Sequence, residues 1–410
     1  MTAGANESSL TARCCIVGGG PAGMMLGYLL GRAGIDTIVL EKHADFFRDF
    51  RGDTVHPSTL QVMDELGLID DFLKIKHDRI QKMDGFFGTH KLRIADIGRT
   101  SAKYPFIAFM PQWDFLNFLR DKAQRYPRLK VMMNTEATDL IWSGEQVVGV
   151  KAITQQGPVE IHADLTVACD GRHSIVRPAA KLEVEDIGAP MDILWFRVAK
   201  GAETESVFAR LESGKMMVTI DRGDYWQCAY VIAKGHYEEI KVRGLEAFRA
   251  ETSRLAPILS AHIEELKSWD DVKLLTVAIN RLKRWTRPGL LCIGDAAHAM
   301  SPVGGVGVNI AVQDAVAAAN LLAAKLAKGP VTEDDLGAVR RRREFPMRAT
   351  QGMQVVMQNN IISLALAKGG QPLTPPLIMR LVSAFPPLQG LTARFLAIGV
   401  RPEHVQSPEA

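Results

Sequence analysis

The hydrophobic pattern near the start of the chain predicts a strand, a glycine turn, a helix and a second strand. Apolar residues dominate 13–17, three consecutive glycines follow, and an apolar helix is predicted over 21–34. Another short apolar run covers 36–40 and ends in Glu41. Strand, helix and strand in this order are typical of a β–α–β unit with a parallel sheet.

The glycines of this unit stand where a nucleotide-binding turn needs them. Gly18 permits the tight turn, Gly20 lets backbone N–H groups approach a phosphate, and Gly23 lets the helix pack closely on the strand. The N-terminus of the helix offers unpaired N–H groups to an anion. Glu41 stands about twenty residues beyond the glycines, where an acidic residue accepts hydrogen bonds from a ribose. We therefore predict a dinucleotide at this turn.

Two further apolar strands end in polar residues much later in the chain. One covers 165–169 and stops at Asp170, and the other covers 290–293 and stops at Gly294-Asp295. A glycine-rich loop, 301–307, follows the second strand and leads into a long alanine-rich helix. We expect both strands to join the N-terminal sheet, which brings their polar ends close to the glycine turn.

Alternating patterns in the middle of the chain predict a second, mainly antiparallel sheet, from 80–97 and from stretches between 193 and 232. A helical segment is predicted over 243–266, and the chain after 349 is helical and apolar. We therefore predict an α/β fold with a Rossmann-like dinucleotide-binding domain, an antiparallel substrate domain and a helical C-terminal segment. The predicted boundaries are 1–75, 100–180 and 270–345 for the first domain, 76–99 and 181–269 for the second, and 346–410 for the helical cover.

The segments 165–177, 290–298 and 301–309 together resemble the signature set of the flavoprotein aromatic hydroxylases, the single-component monooxygenases typified by para-hydroxybenzoate hydroxylase. The resemblance covers nearly the whole chain, and the motifs are its specific part. Dehydrogenases that bind only NAD lack the two later motifs, so the resemblance implies that the dinucleotide is FAD. No second glycine fingerprint is visible in the sequence, which agrees with this family's use of NAD(P)H as a transient electron donor.

The resemblance also implies which residues contact FAD. The family's Gly-Asp carboxylate, here Asp295, contacts the ribityl chain, and the helix that begins near Val308 points its N-terminus at the flavin ring. Asp170 is expected near FAD, and Arg177 near the nicotinamide pyrophosphate. The cofactor-binding residues predicted from the glycine turn and from the resemblance are Gly18, Gly20, Gly23, Glu41, Arg51, Gln112, Asp170, Asp295, Gly307, Val308 and Asn309.

Two of these residues come from shorter matches. The family has an arginine against the FAD phosphates just before a helix, and the helix predicted over 58–67 implies Arg51, with Arg48 as the alternative. Another helix opens at Gln112, which resembles the polar residue that contacts the ribityl chain. A simple role in starting that helix is the alternative for Gln112.

The activity that the resemblance implies is hydroxylation of an aromatic substrate by NAD(P)H and O2 through a flavin C4a-hydroperoxide. A flavin-dependent reductase or dehydrogenase on the same fold, without oxygen transfer, is the alternative. A halogenase is disfavoured because the chain has no Trp-x-Trp-x-Ile-Pro segment. A purely structural FAD is a further alternative. In each oxidoreductase case the flavin supplies the difficult chemistry, and the protein binds, orients and excludes water.

No residue stands out as the catalytic base. His56, Tyr225 and His298 are weak candidates, and each is equally compatible with a packed structural role. Substrate contacts are predicted at Tyr225, Trp226 and Gln227 on the second sheet, and at Pro302 before the glycine loop. The resemblance places the benzoate hydroxylases' serine and arginine anchor near Thr219-Ile220-Asp221, where a cation is missing. We therefore expect a larger, less charged aromatic, quinone-like or polyketide-like substrate.

Composition excludes several other classes of protein. The 410 residues carry a formal net charge of +3 and are 47% hydrophobic, a balance that does not indicate nucleic-acid binding. The arginine run 340–343 is interpreted as the solvated face of a helix. Five cysteines without paired spacing indicate reduced thiols in the cytoplasm, and no ligand cluster indicates a metal. The N-terminus shows no signal peptide.

The apolar C-terminal segment leaves the question of partners open. Charged residues and prolines interrupt it, so we expect no stable membrane insertion. It either covers the substrate cavity or forms the interface of a homodimer, and peripheral contact with a membrane is a third alternative. The expected partners are therefore a small aromatic substrate and O2.

Overall fold

The computed structural model describes residues 8–47, 54–201, 209–212, 214–362 and 373–410. In the first hundred residues the elements are β1 (Ser8–Val17), α1 (Pro21–Arg32), β2 (Thr37–Leu40), β3 (Thr54–Val55), α2 (Pro57–Glu65), α3 (Ile69–Phe72), β4 (Asp78–Ile80), β5 (Lys82–Phe87) and β6 (His90–Asp96). The next hundred residues hold β7 (Ile107–Phe109), α4 (Gln112–Ala123), β8 (Leu129–Met132), β9 (Glu136–Ser143), β10 (Gln146–Thr154), β11 (Gly157–Ala168), α5 (Val176–Ala179), β12 (Val184–Asp186) and β13 (Met191–Ala199).

Beyond residue 200 the chain forms further strands and helices, and two of these helices are long. The elements are β14 (Ala209–Glu212), β15 (Lys215–Asp221), β16 (Tyr225–Ala233), α6 (Tyr237–Val242), α7 (Leu245–Leu255), β17 (Lys273–Leu275), β18 (Asn280–Leu282), β19 (Thr286–Arg287), β20 (Leu290–Cys292), β21 (His298–Ala299), α8 (Gly307–Leu326), α9 (Glu333–Met357), α10 (Leu377–Ala384) and α11 (Pro386–Ala393). The predicted helix over 243–266 is shorter than expected, since α7 ends at Leu255 and short 3-10 turns follow.

The first sheet has the Rossmann-like order β19–β20–β11–β1–β2–β8. Strands β20, β11, β1, β2 and β8 run parallel to one another, whereas β19 pairs antiparallel with β20, and β10 and β9 extend the sheet as an antiparallel arm from β11. Strands that are distant along the chain therefore lie side by side. The predicted α/β fold with a Rossmann-like parallel sheet is confirmed.

Helix α1 lies very close to the sheet because its inward face carries small residues. A Cβ added to Gly27 would lie 2.7 Å from Val39 Cγ2, and one added to Gly31 would lie 2.9 Å from Leu129 Cβ. The contact is tightest at Gly23, where an added Cβ would lie 1.9 Å from the carbonyl oxygen of Gly18. These glycines bring the start of the helix directly against the end of β1.

The second sheet has the order β17–β13–β16–β15–β14–β5–β6, and its pairs are antiparallel except for β14 with β5. Its outer face packs on α7 and carries Leu194, Phe196, Trp226, Cys228 and Tyr230. Its inner face carries Ile193, Val218, Ala229 and Val231, which cluster with Val303 from the loop before α8. Strand β17 belongs to this sheet, although the predicted boundaries assigned it to the first domain.

Helix α9 runs without a break across the predicted domain boundary at 345/346. The arginine run was interpreted as a solvated face, and this holds for Arg341 and Arg342, which are exposed, but not for Arg343, which is buried. Successive helical residues are rotated by about 100°, so four consecutive residues point almost all the way around the helix. At least one member of such a run on a packed helix must therefore face inward.

The C-terminal region is only partly helical. Helices α10 and α11 pack on β6, where the Thr392 hydroxyl donates to Ile94 O at 2.9 Å. A π-helical turn, Arg394–Ile398, follows. Residues 400–410, here called the C-terminal strap, have no regular structure and cross α8, α2 and α1, ending with Ala410 N–H donating to Arg32 O at 3.0 Å. The predicted helical cover is thus replaced by a non-helical strap at its end.

Within the described ranges, Val303–Leu326 is long and apolar enough to cross a membrane by length and composition, and most of it is buried inside the protein as a core helix. The bent pair of Leu377–Ala384 and Pro386–Ile398 also passes when taken together, with an angle of 105° between its halves.

The contact between Gly23 and the Gly18 carbonyl predicts a sharp difference between two glycines of the same turn. Gly23→Ala should lower the free energy of unfolding by about 3 kcal/mol, because the added methyl overpacks a backbone contact. Gly20→Ala is the matched control, since an added Cβ there meets nothing within 4 Å. Urea unfolding of both variants measures this, and equal stabilities would contradict the packing.

Candidate active site

The carboxyl ends of β2, β1, β11 and β20 form a single edge of the first sheet. Val17 is in register with Leu40 on one side and with Ala168 on the other, and Ala168 is in register with Cys292. Ligands of open parallel sheets bind outside this edge. The residues that directly follow these strands include the predicted Gly18, Glu41, Asp170 and Asp295.

The glycine turn after β1 leaves room at the start of α1. Gly18 has a φ of +103°, its N–H donates to Leu40 O at 2.8 Å, and an added Cβ would lie 2.5 Å from Cys169 O. Gly20, by contrast, has open space where a Cβ would stand. The turn is therefore tightly packed at Gly18 and has open space at Gly20. This space lies next to the unpaired N–H groups at the start of α1, which suit a phosphate.

Glu41 lies beside this turn and is buried. Its Oε2 accepts a hydrogen bond from Gly19 N–H at 3.1 Å, and its Oε1 accepts one from His43 N–H at 3.0 Å. The carboxylate therefore holds the glycine turn in shape. Its position is compatible with the predicted ribose contact, which stays a prediction.

Asp170 follows β11 and has one oxygen in use. Its Oδ2 accepts hydrogen bonds from Ile175 N–H at 2.9 Å and Val176 N–H at 3.2 Å, at the start of α5. Its Oδ1 is buried and has no hydrogen-bond partner in the part of the chain that the structure describes. Burial raises the pKa of this carboxyl above its usual value. A buried acceptor without a donor is costly, so Oδ1 points to a ligand that donates here.

The Gly-Asp turn after β20 lies between two helices. Gly294 has a φ of +60°, and an added Cβ would lie 3.1 Å from Ala22 Cβ of α1 and 3.4 Å from Ala311 Cβ of α8. The Asp295 side chain is partly exposed, with Oδ2 3.9 Å from Arg172 Nη2. The turn thus lies between the starts of α1 and α8.

Arg177 holds the Gly-Asp turn through hydrogen bonds to the backbone that follows Gly294. Its buried guanidinium donates to the carbonyl oxygens of Asp295 and Ala296 and, at 3.3 Å, to Asn280 Oδ1. Burial lowers the pKa of Arg177. The predicted contact with a nicotinamide pyrophosphate is not supported, because these internal hydrogen bonds engage the guanidinium.

The start of α8 is fixed by Asn309. Its Oδ1 accepts hydrogen bonds from His56 N–H at 2.8 Å and from the Thr59 hydroxyl at 2.7 Å, and its Nδ2 donates to Thr54 O at 3.2 Å. The side chain of Asn309 therefore ties the segment before α2 to α8. A flavin contact at Asn309, like those at Gly307 and Val308, would use the backbone N–H groups of the first helical turn.

The two remaining cofactor predictions come from other elements. Gln112 is the first residue of α4 and is partly exposed, so its predicted helix start is confirmed and its flavin contact stays a prediction. Arg51 and its alternative Arg48 lie outside the described residues.

The histidine candidates for catalysis are packed inside the protein. His56 Nδ1 lies 3.2 Å from Leu396 O, and burial lowers the pKa of this imidazole to about 4. His298 Nε2 lies 2.6 Å from Asp314 Oδ2, and its ring tilts against Trp285. Both residues fit the structural interpretation that the sequence left open.

The predicted substrate residues on the second sheet lie on opposite faces of β16. Gln227 shares the inner face with Ala229, and Tyr225 is half-buried at the start of β16. Trp226 instead packs in the outer-face cluster against α7. Because side chains alternate between the faces of a strand, three consecutive residues cannot all contact one ligand. We therefore no longer assign Trp226 to the substrate. Pro302 is half-buried and precedes the turn containing Val303.

A buried cation that the sequence interpretation missed lies on the inner side. Arg222 Nε donates to Gln227 Oε1 at 3.0 Å, and the guanidinium is 5.9 Å from the centre of the Phe109 ring. The cationic substrate anchor of the benzoate hydroxylases was expected near Thr219-Ile220-Asp221, and Arg222 is the residue that directly follows. It begins the turn from β15 to β16, where its N–H donates to Tyr225 O at 3.0 Å. Val218 and Ile220 alternate with polar residues along β15. Extending this alternation by two residues would have predicted that the Arg222 side chain points inward.

Sequence comparisons agree with this geometry. A family model described as an FAD binding domain matches residues 11–352. A 6-methylpretetramide 4-monooxygenase from Streptomyces rimosus is 30% identical over 355 residues, covering 85% of this chain and 84% of that protein. A dialkyldecalin synthase from Streptomyces rugosporus is 26% identical over 314 residues, covering 73% of this chain but only 63% of that protein.

A comparison of solved structures gives the same fold. The p-nitrophenol 4-monooxygenase PnpA from Pseudomonas putida DLL-E4 superposes with a TM-score of 0.75 at 19% identity, covering 96% of this chain and 100% of that one. The family model extends over most of the sequence, and the Streptomyces rimosus relative matches nearly its full length. This chain therefore belongs to the family of FAD-dependent aromatic monooxygenases, and it binds FAD.

Proposed function

We propose that this enzyme uses NAD(P)H and O2 to hydroxylate an electron-rich, polyketide-like aromatic substrate. The observation that carries the proposal is the convergence of the glycine turn, Asp170, the Gly-Asp turn and the start of α8 at one sheet edge, with Val303 of the loop before α8 packed on the inner face of the second sheet. FAD supplies the redox chemistry that activates oxygen, and the residues around it bind, orient and exclude water.

The proposed FAD-binding residues fit that group on their own chemistry. The open space at Gly20 suits a pyrophosphate at the start of α1. The buried Oδ1 of Asp170 needs a donor, and a bound dinucleotide with hydroxyl groups offers one. Asp295 stands between α1 and α8, where its partly exposed carboxylate could accept hydrogen bonds from sugar-alcohol hydroxyls.

The inner face supports an apolar, water-poor substrate chamber. Val218, Ala229 and Val231 cluster there with Val303. Exclusion of water favours oxygen transfer over side reactions. The similar relative from Streptomyces rimosus acts, by its name, on 6-methylpretetramide, and we propose that an apolar chamber in this chain takes a substrate of that class.

Arg222 refines the expected charge of the substrate. A buried guanidinium stabilises a nearby anion, so it would favour the phenolate or enolate form of a substrate. Deprotonation makes the ring more nucleophilic, which the hydroxylation needs. We therefore propose a polycyclic phenol with an acidic hydroxyl, which narrows the larger, less charged aromatic substrate that the sequence suggested.

A second candidate function is a reaction on the same fold without oxygen transfer. The similarity to a dialkyldecalin synthase favours keeping it, because that relative's name does not describe an oxygenase.

The proposed homodimer is a separate question, which sedimentation of the purified protein answers.

Replacing Glu41 tests the glycine turn as an FAD site. Glu41→Ala should weaken FAD binding by roughly 1.5–3 kcal/mol, the range for a hydrogen bond to a charged group. FAD titration followed by fluorescence measures the change. Glu136→Ala, which removes an exposed carboxylate on β9, is the control and should bind FAD normally. Unchanged FAD affinity in Glu41→Ala would contradict the assignment.

Replacing Asp295 tests the Gly-Asp turn. Asp295→Ala should fold, because the side chain is partly exposed, and should retain FAD poorly after gel filtration. Asp270→Ala, at an exposed position in a distant 3-10 turn, serves as the comparison. If Asp295→Ala keeps its full visible flavin spectrum and normal turnover, the carboxylate has a structural role only.

Isotope labelling tests oxygen transfer itself. With labelled dioxygen, NAD(P)H and a polycyclic phenol, we expect one labelled atom in the product and substrate-stimulated NAD(P)H oxidation, because the proposed reaction splits O2 between product and water. Mass spectrometry of the product measures the label. Full product formation under nitrogen, without label, would instead establish the oxygen-independent function and leave the FAD assignment intact.

A further inference from the structure

A buried chain of hydrogen-bonded polar and charged side chains connects the C-terminal strap to the Gly-Asp turn. It consists of Glu403, Arg343, Asp314 and His298, whose exposed fractions are 4%, 1%, 0% and 1%. These residues come from the strap, α9, α8 and β21, which are distant in sequence. Burying charges costs free energy unless they are paired and hydrogen-bonded, so the geometry of each link matters.

The first link fixes the strap to the two long helices. Glu403 Oε1 accepts hydrogen bonds from Arg343 Nη1 at 3.2 Å and from Arg342 Nε at 2.8 Å, and Arg342 Nη2 donates to Glu403 Oε2 at 3.1 Å. The backbone N–H of Glu403 donates to Gln313 Oε1 of α8. Glu403 is therefore held by α8 and α9 through both its side chain and its backbone.

The second link crosses from α9 to α8. Arg343 Nε donates to Asp314 Oδ1 at 2.9 Å, inside the core. Burial raises the pKa of Asp314, but His298 and Arg343 outweigh this effect and hold the pKa below its usual value. Asp314 is consequently a carboxylate, and Arg343 lies between two carboxylates, those of Asp314 and Glu403.

The third link reaches the predicted FAD site. Asp314 Oδ2 accepts a hydrogen bond from Gly294 N–H at 3.1 Å and lies 2.6 Å from His298 Nε2. Gly294 has a left-handed backbone conformation, and the next residue is Asp295. The oxygen that binds Gly294 thus fixes the direction in which the Asp295 side chain leaves the turn.

We propose that the C-terminal strap is a positioning element of the FAD site, in which Glu403 acts through Arg343 and Asp314 on the Gly294–Asp295 turn. The inference rests on the proposed role of Asp295 toward FAD. Without the Glu403 charge, Arg343 keeps Asp314 as its carboxylate partner, and its guanidinium can turn toward that carboxylate and draw it away from Gly294 N–H. The turn then samples orientations that bind FAD less well, which lowers the apparent affinity by the fraction of competent molecules.

Glu403→Gln tests this positioning role, because it keeps the shape of the side chain and removes its charge. We expect the Kd for FAD to rise about tenfold, the effect of one charged hydrogen bond, and the midpoint potential of bound flavin to change. Glu403→Asp, which restores the charge, should recover part of the affinity. Glu409→Gln is the matched control, since Glu409 lies on the same strap and pairs with Arg32 at 2.8 Å in an exposed position.

Two outcomes would overturn the proposal. An unchanged FAD Kd and flavin potential in Glu403→Gln, together with a lower Tm, would show that Glu403 only stabilises the fold. An equal loss of FAD affinity in Glu409→Gln would assign the effect to general docking of the strap. If Glu403→Gln does not fold, Arg343→Lys keeps the cation but cannot donate to Asp314 and Glu403 in the same geometry, and an unchanged FAD Kd there would likewise overturn the proposal.

The readout separates this inference from the proposed function. FAD binding is measured without substrate, NAD(P)H or oxygen, so a failure of oxygen transfer leaves the expected differences between the variants intact. An unchanged FAD affinity in Asp295→Ala would remove the role of Asp295 on which this inference rests, whereas the labelling experiment tests the proposed function separately. Sensitivity to Asp295→Ala with insensitivity to Glu403→Gln would overturn the positioning role alone.

Discussion

The register between β1 and its parallel neighbours is the constraint on which the rest of the structure depends. Because Val17 lies beside both Leu40 and Ala168, and Ala168 beside Cys292, segments spread over almost 300 residues end at one edge. Parallel strands need covering helices on the sheet faces, and α1 and α8 meet this need with small and apolar inward residues. The two helix N-termini consequently point at the same place.

The convergence of these elements also explains why several polar and charged side chains are buried near this edge. Asp314 lies near the middle of the mainly apolar helix α8, where Arg343 offsets its charge and His298 Nε2 lies 2.6 Å from its Oδ2. Breaking one partner of such a network costs far more than a surface ion pair, since it leaves a buried charge uncompensated. The C-terminal strap therefore stabilises a region far from it in sequence, and the FAD site and the end of the chain form one cooperative unit.

The sequence predicted β1, β2, β11 and β20 of the first sheet because their signals are local: each is followed by glycine or an acidic residue. It predicted less where the answer depends on tertiary packing. The inward direction of Arg343, the burial of Arg222 and the outward face of Trp226 follow from helix rotation and strand pleat, which need a known register. The strap has no periodic pattern, so hydrophobicity could not indicate that Glu403 anchors it.

The central claim is that FAD binds at the shared edge of the parallel strands, with its pyrophosphate at the start of α1. A crystal structure of the FAD complex tests this most directly. The account predicts the pyrophosphate over Gly20, a donor from FAD or an ordered water about 3 Å from Asp170 Oδ1, and the ribityl chain beside Asp295. FAD bound elsewhere, with Gly20 open and Asp170 Oδ1 still without a donor, would contradict it.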